Sequence, residues 1–93
     1  MSKRVQVIIN PTAGQDQAIL GILNQVFHDA GFAWDVSITN KAGDARRFAR
    51  AAALAGIDVV AAYGGDGTVM EVASGLIGST VPLAIFPGGT ANG

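Results

Sequence analysis

The sequence contains no cysteine, a single histidine and few charges. Without cysteine there is no disulfide framework and no thiolate metal site. Six lysines and arginines stand against seven aspartates and glutamates, a formal net charge of −1. Nucleic-acid binding therefore gets no support from bulk electrostatics. No apolar run is long enough to span a bilayer. Met1-Ser2-Lys3-Arg4 leads into a short strand-like stretch rather than the apolar core of a signal peptide. A cytosolic protein is the expectation. The 93 residues suffice for one small domain, which at that size buries about two thirds of its unfolded surface. Hydrophobic residues make up 49% of the chain and charged ones 14%. That is apolar for a free-standing small domain and implies a surface covered by something outside the chain.

The most informative stretch is Gly64-Gly65-Asp66-Gly67-Thr68. It follows the apolar, β-branched run 57–63, which suits a buried strand. It precedes residues 69–77, whose apolar spacing suits a helix. A glycine-rich turn with one carboxylate therefore joins a strand's C-terminal end to a helix's N-terminal end. In α/β folds that is a phosphate-binding address, because unpaired helix N–H groups and the helix dipole both face an anion there. An aspartate in such a turn would repel a bare phosphate. It makes sense if a divalent cation lies between them, or if the carboxylate takes a proton from an attacking hydroxyl. The competing reading is a packing turn in which Asp66 caps the helix. The turn is no Walker A loop, since no lysine follows the glycines, and its glycine spacing is not the dinucleotide fingerprint.

The remaining pattern predicts alternating strands and helices. Residues 5–9 read as a first strand. A helix over 17–30 carries an apolar stripe of Ile19, Leu20, Leu23, Val26 and Phe27, with Asp16 as N-cap and Gly31 just past the end. Residues 32–38 alternate as a second strand, with Trp34, Val36 and Ile38 on one face. A second helix over 44–55 closes at Gly56, and 81–86 form a fourth strand. This rhythm predicts a three-layer α/β/α fold on a parallel sheet. Three loops, 10–14, 64–68 and 88–92, then lie at strand C-terminal ends. If the first two share a ligand, strands one and three are neighbours. Right-handed crossovers give the order 2-1-3-4 with the crevice between them. The glycine-rich turn at the end should open a helix that does not follow, so the chain reads as a fragment of a longer protein.

Asn10-Pro11-Thr12-Ala13-Gly14, Gly43-Asp44-Ala45, Gly64-Gly65-Asp66-Gly67-Thr68 with Glu71-Val72, and Pro87-Gly88-Gly89-Thr90-Ala91-Asn92 occur in this order. Together they resemble the diacylglycerol kinase catalytic domain, the family of bacterial lipid kinases and sphingosine kinases. NAD kinases and phosphofructokinases are more distant relatives sharing the glycine-aspartate loop. The resemblance covers essentially the whole chain. It implies the N-terminal, nucleotide-binding part (1–93) of a two-domain catalytic unit whose C-terminal β domain is absent. The implied activity is ATP-dependent transfer of a phosphoryl group to the hydroxyl of diacylglycerol or a related lipid. The implied cofactors are ATP and Mg²⁺, and the implied acceptor is a lipid at the membrane surface, with the protein peripheral to it.

The resemblance also implies site roles. Asn10, Pro11, Thr12, Gly14, Gly64, Gly65, Gly67, Thr68, Glu71, Gly89, Thr90 and Asn92 are the implied nucleotide-binding residues. Asp66 is the implied catalytic residue, acting as base toward the acceptor or on the metal through water. Met70 and Gly93 depart from the family pattern, standing where many members carry Asn and Asp. Two alternatives remain at this stage: a non-catalytic nucleotide-binding or regulatory module of the same fold, and a kinase of a soluble hydroxyl such as a NAD kinase. The 10–14 turn favours the lipid branch over the latter.

Other residues carry blander expectations. His28, near a helix end, reads as a surface residue favoured by the dipole. Trp34 reads as core. Arg46, Arg47 and Arg50 read as a solvated helix face rather than an anionic-membrane patch. Lys41 and Asp44 read as loop and N-cap, although the family pattern brings Gly43-Asp44 near the cleft. Glu71 is balanced between a dipole partner and a cleft residue. The isolated chain is expected to lack kinase activity and to self-associate, because its fourth strand carries no charge to discourage pairing with another chain.

Overall fold

The computed structural model describes residues 3–10 and 18–87, apart from the side chains of Ala18, Ile19, Leu20, Ile22, Val26 and Pro87. Its elements are β1 (Arg4–Ile9), α1 (Ala18–Asp29), β2 (Ala33–Ile38), α2 (Asp44–Leu54), β3 (Val59–Gly64), α3 (Asp66–Gly75) and β4 (Leu83–Pro87). The four strands form one sheet in the order β2-β1-β3-β4. Every pairing is parallel, with Val7 opposite Val36 on one side and Ala61 on the other. This is the α/β architecture and strand order that the pattern of elements predicts.

The inner strands explain why the sequence folds this way. Ile8, Val60 and Ala62 project to one face, where they pack with Ala45, Ala49 and Ala52 of α2 and Val72 of α3. Val5, Val7, Ile9, Ala61 and Tyr63 project to the other, against Leu23 and Phe27 of α1. Strands buried on both faces must be apolar throughout, and β1 and β3 nearly are. The crossover through α1 runs one way from β1, and those through α2 and α3 run the other. The connections therefore diverge between β1 and β3, where such sheets open a crevice beyond the strand ends.

Two helix stops act as the glycines suggest. Gly31 and Gly56 take left-handed φ values of 76° and 81°. The following residues, Phe32 and Ile57, donate back to Phe27 O and Ala52 O at 2.8 and 3.1 Å. Both ends are Schellman turns, in which a glycine without Cβ adopts the left-handed conformation at no steric cost. Phe27 is also the hub of an aromatic cluster, with ring centroids 6.0, 5.6 and 6.1 Å from those of Phe32, Trp34 and Phe86.

The structure differs from the sequence expectations at several points. α3 begins at Asp66, not at residue 69, and ends at Gly75. Gly64 belongs to β3. The glycine-rich stretch is thus one turn residue, Gly65, followed by the first turn of a helix. Glycine is tolerated there because the first-turn N–H groups have no intrahelical partner in any case. β4 starts at Leu83 rather than 81. Trp34 is half-buried and packed on the α1-side core rather than fully inside. Ile38 is 48% exposed; it ends an edge strand with a neighbour on one side only. Asp44 is the first helical residue, and Gly43, at φ 90°, is the N-cap. Asp16, Gln17 and the loops 11–14 and 88–92 lie outside the described residues.

α2 and α3 approach with backbone contact. A Cβ on Gly75 would lie 2.3 Å from the Arg46 carbonyl oxygen and 2.9 Å from the Ala49 Cβ. Gly75 therefore sets how close the two helices pack, at the roughly 1 kcal/mol that glycine costs inside a helix.

Candidate functional site

At the C-terminal edge of the sheet the exit of β1 lies between those of β2 and β3. The Asn10 amide donates to Tyr63 O at 3.1 Å, pinning the exit of β1 to that of β3. The Thr39 amide donates to Ile9 O at 2.9 Å, pinning the exit of β2 to β1. Between these exits and α3 lies a cleft of about 470 Å³ lined by Asn10, Thr39, Asn40, Lys41, Ala42, Ala45, Gly67, Thr68 and Glu71. It sits at the divergence point of the sheet, where ligands bind in this architecture.

One wall is the first turn of α3. The Asn10 Nδ2 donates to the Thr68 Oγ1 at 3.1 Å across 58 positions of sequence. Thr68 is buried, and its side chain fills the space a Cβ on Gly64 would need, 2.7 Å from the Oγ1. Gly64 is therefore required by local packing, whatever else it does. Gly65, Asp66 and Gly67 are exposed. No side chain caps α3, and no described acceptor takes the N–H groups of Asp66, Gly67 or Thr68. The Asp66 carboxylate likewise makes no hydrogen bond or ion pair among the described residues, so the reading of Asp66 as a helix cap finds no bond to support it. A positive helix end and an unengaged carboxylate stand side by side.

The opposite wall is the loop of residues 39–43, and two carboxylates hold it. Asp44 is 2% exposed. Its Oδ2 accepts the N–H groups of Asn40 and Lys41 at 2.8 and 3.0 Å. Its Oδ1 takes the Lys41 ammonium at 3.2 Å and the Arg47 guanidinium. The Asn40 amide and the Arg47 guanidinium hold its carboxyl well below the usual carboxylate range, against the burial that would raise it. Glu71, half-buried on α3, accepts the Gly43 N–H with both oxygens at 3.1 and 3.2 Å, across 28 positions. Neither of the two roles that the sequence suggests for Glu71 includes this link. It depends on the close packing of α2 on α3, which sequence spacing does not reveal. Sequence reasoning also misses Asn40, Thr39 and Ala42 as cleft residues; their only signal is their place at the end of a strand.

The structure thus brings Asn10, Gly67, Thr68 and Glu71 to one cleft, with Gly64, Gly65 and Asp66 adjoining it in the strand-to-helix turn. Pro11, Thr12, Gly14, Gly89, Thr90 and Asn92 lie outside the described residues. His28 is exposed, as are Arg46, Arg47 and Arg50. Among the described residues no group of three or more histidines and carboxylates could hold a metal alone. No helix of the described residues is long and apolar enough to cross a membrane.

The family model described as the diacylglycerol kinase catalytic domain matches residues 4–93. The chain belongs to that family. A diacylglycerol kinase of Bacillus subtilis strain 168 is 39% identical over 94 residues, a match covering 97% of this chain and 31% of that protein. A diacylglycerol kinase of Staphylococcus aureus strain MRSA252 is 35% identical over 96 residues, covering 99% of this chain and 30% of that protein. Among solved structures, a diacylglycerol kinase from Bacillus anthracis str. Sterne superposes with a TM-score of 0.76 at 33% identity, covering 97% of this chain and 34% of that one. This member of the family therefore spans about a third of the length of the relatives it matches.

Proposed function

We propose that this chain is the nucleotide-binding part of a lipid kinase that uses ATP to phosphorylate the hydroxyl of diacylglycerol or a related lipid. The observation that carries the reading is the uncapped start of α3. Its free N–H groups open beside a cleft at the sheet's divergence point, in a chain of the diacylglycerol kinase family. The names of the relatives support the lipid branch over a soluble acceptor. The share of those relatives that the chain spans supports a two-domain unit in which the lipid is held largely elsewhere.

In this reading the phosphates lie against the N–H groups of residues 65–68, where helix dipole and donors both favour negative charge. The Thr68 hydroxyl accepts from Asn10, which leaves its own hydrogen available to donate. The site fits Mg²⁺ held through water: that ion keeps several waters when it binds beside phosphates, and Asp66, the exposed, unengaged carboxylate at that end, would hold it through one of them. Bound there, the ion would neutralise phosphate charge. The lipid oxygen forms a bond to the γ-phosphorus as the bond to the β,γ-bridging oxygen breaks, and ADP leaves. The hydroxyl proton passes to the Asp66 carboxylate or to water.

The test is Asp66→Asn in the full-length parent protein, assayed with ATP, Mg²⁺ and diacylglycerol vesicles. Phosphatidic acid formation should fall by about 100-fold or more with the fold unchanged. Turnover at the unsubstituted rate would remove Asp66 from the chemistry.

A further inference from the structure

The 39–43 loop is held from two helices at once. Asp44, at the start of α2, takes the N–H groups of Asn40 and Lys41. Glu71, in the middle of α3, takes the N–H of Gly43 with both carboxylate oxygens. Three backbone donors of a five-residue loop are thereby engaged by carboxylates of the protein. Gly43 stands at φ 90°; the Asp44 N–H closes the turn on Lys41 O at 3.2 Å and the Gly43 carbonyl accepts the Arg47 N–H at 3.1 Å. The Glu71 carboxylate adds the tie to α3, through the Gly43 N–H. Glu71 also lines the cleft, but a second anion against a polyphosphate would oppose binding, and both its oxygens face the Gly43 N–H.

We propose that Glu71 is a positioning residue: with Asp44 it fixes the 39–43 loop as the rear wall of the nucleotide cleft, acting as a hydrogen-bond acceptor and not as a metal ligand or base. This rests on the nucleotide reading of the cleft. Because Glu71 is part of α3, the wall is tied to the same helix whose first turn receives the phosphates. The distance between the two walls is then set inside the protein, before any ligand arrives. The loop in turn offers the ligand side chains and carbonyls, with its amides at 40, 41 and 43 already engaged. Anionic groups are directed to the start of α3.

Replacing the acceptor chemistry and the charge separately tests this. Gln keeps one carbonyl oxygen that can accept the Gly43 N–H and loses the charge; Ala loses both. Amide hydrogen exchange is measured on the ligand-free chain for Glu71→Ala and Glu71→Gln, and Mg·ATP affinity is measured by calorimetry on the same samples. Glu71→Ala should lose protection at Gly43 and bind Mg·ATP about tenfold or more weakly, since a displaced wall costs on that order. Glu71→Gln should keep most of the protection and stay within about threefold of the unsubstituted affinity, because an acceptor remains for the Gly43 amide. Equal loss of affinity in both variants would overturn the proposal, because it would make the charge itself the contact. Loss of protection at Gly43 with unchanged affinity would overturn it too, by removing the loop from the cleft. An unsubstituted chain that does not bind Mg·ATP would instead overturn the nucleotide reading, while the exchange data alone would still report whether Glu71 orders the loop.

Discussion

Asn10 and Thr68 meet across the crevice of the sheet, the Asn10 Nδ2 donating to the Thr68 Oγ1 at 3.1 Å. One residue leaves β1 and the other closes the first turn of α3. The bond therefore joins the two segments that the shared-ligand argument requires to be neighbours. Thr68 is 6% exposed, so its hydroxyl is an interior group whose loss is felt.

Thr68→Val keeps the branched shape and removes the hydroxyl. It should destabilise the chain by about 1 kcal/mol and also weaken Mg·ATP binding, while Thr68→Ser should retain most of both. Urea unfolding and calorimetric titration of the two variants check this.

Three glycines separate packing from ligand contact. Gly75→Ala would force a Cβ to 2.3 Å from the Arg46 carbonyl and should cost about 1–3 kcal/mol or more by pushing α2 and α3 apart. A Cβ on Gly65 or Gly67 would meet no other atom within 4 Å. Gly67→Ala, in a helical turn, should be neutral or stabilising by up to about 1 kcal/mol, and Gly65→Ala nearly neutral. Both should nevertheless reduce Mg·ATP affinity, because a methyl group there stands between the backbone amides and a phosphate. Thermal unfolding and titration side by side distinguish the two classes.

The parts of the fold that can be read from sequence are those in which one local property decides the outcome. β1 and β3 are legible because burial on both faces demands nearly continuous apolar runs, and the ends of α1 and α2 because Gly31 and Gly56 supply the left-handed turn. The strand order follows from the handedness of crossovers plus one assumption about the ligand. The start of α3 is not legible in the same way, because Gly65 and Gly67 look like helix breakers. At a helix's first turn they break nothing, since those amides are unpaired anyway. Asp44 has the sequence position of a cap that faces forward into its own helix, but it points back to Asn40 and Lys41. The link from Glu71 to Gly43 is invisible in sequence because it depends on how tightly α2 and α3 pack, a property carried by Gly75 and three alanines on the facing helix.

The Asp44 carboxylate sets an acid limit on stability. Its folded-state pKa lies below its unfolded value. Its stabilisation is therefore complete above about pH 4 and is lost progressively as pH falls from there toward the folded value. Asp44→Asn should be less stable than the unsubstituted chain at neutral pH, and its stability should vary less with pH between about 2 and 5. Denaturant unfolding across that range gives the comparison.

β4 pairs with β3 alone among the described strands, and Ile85 on it is 57% exposed. An uncharged edge strand with an exposed isoleucine is a template for pairing with another chain. The chain should self-associate with rising concentration, and Ile85→Lys should shift it toward monomer. Light scattering across a concentration series reads both.

The central claim is that ATP phosphates occupy the uncapped start of α3, in the cleft between that helix, Asn10 and the 39–43 loop. The most direct measurement is the set of backbone amide resonances of this chain during titration with Mg·ATP. The account predicts that the largest shifts fall on Gly65, Asp66, Gly67 and Thr68, with smaller ones at Asn10 and residues 39–42. Saturable binding whose shifts fall elsewhere and leave residues 65–68 unmoved would contradict it.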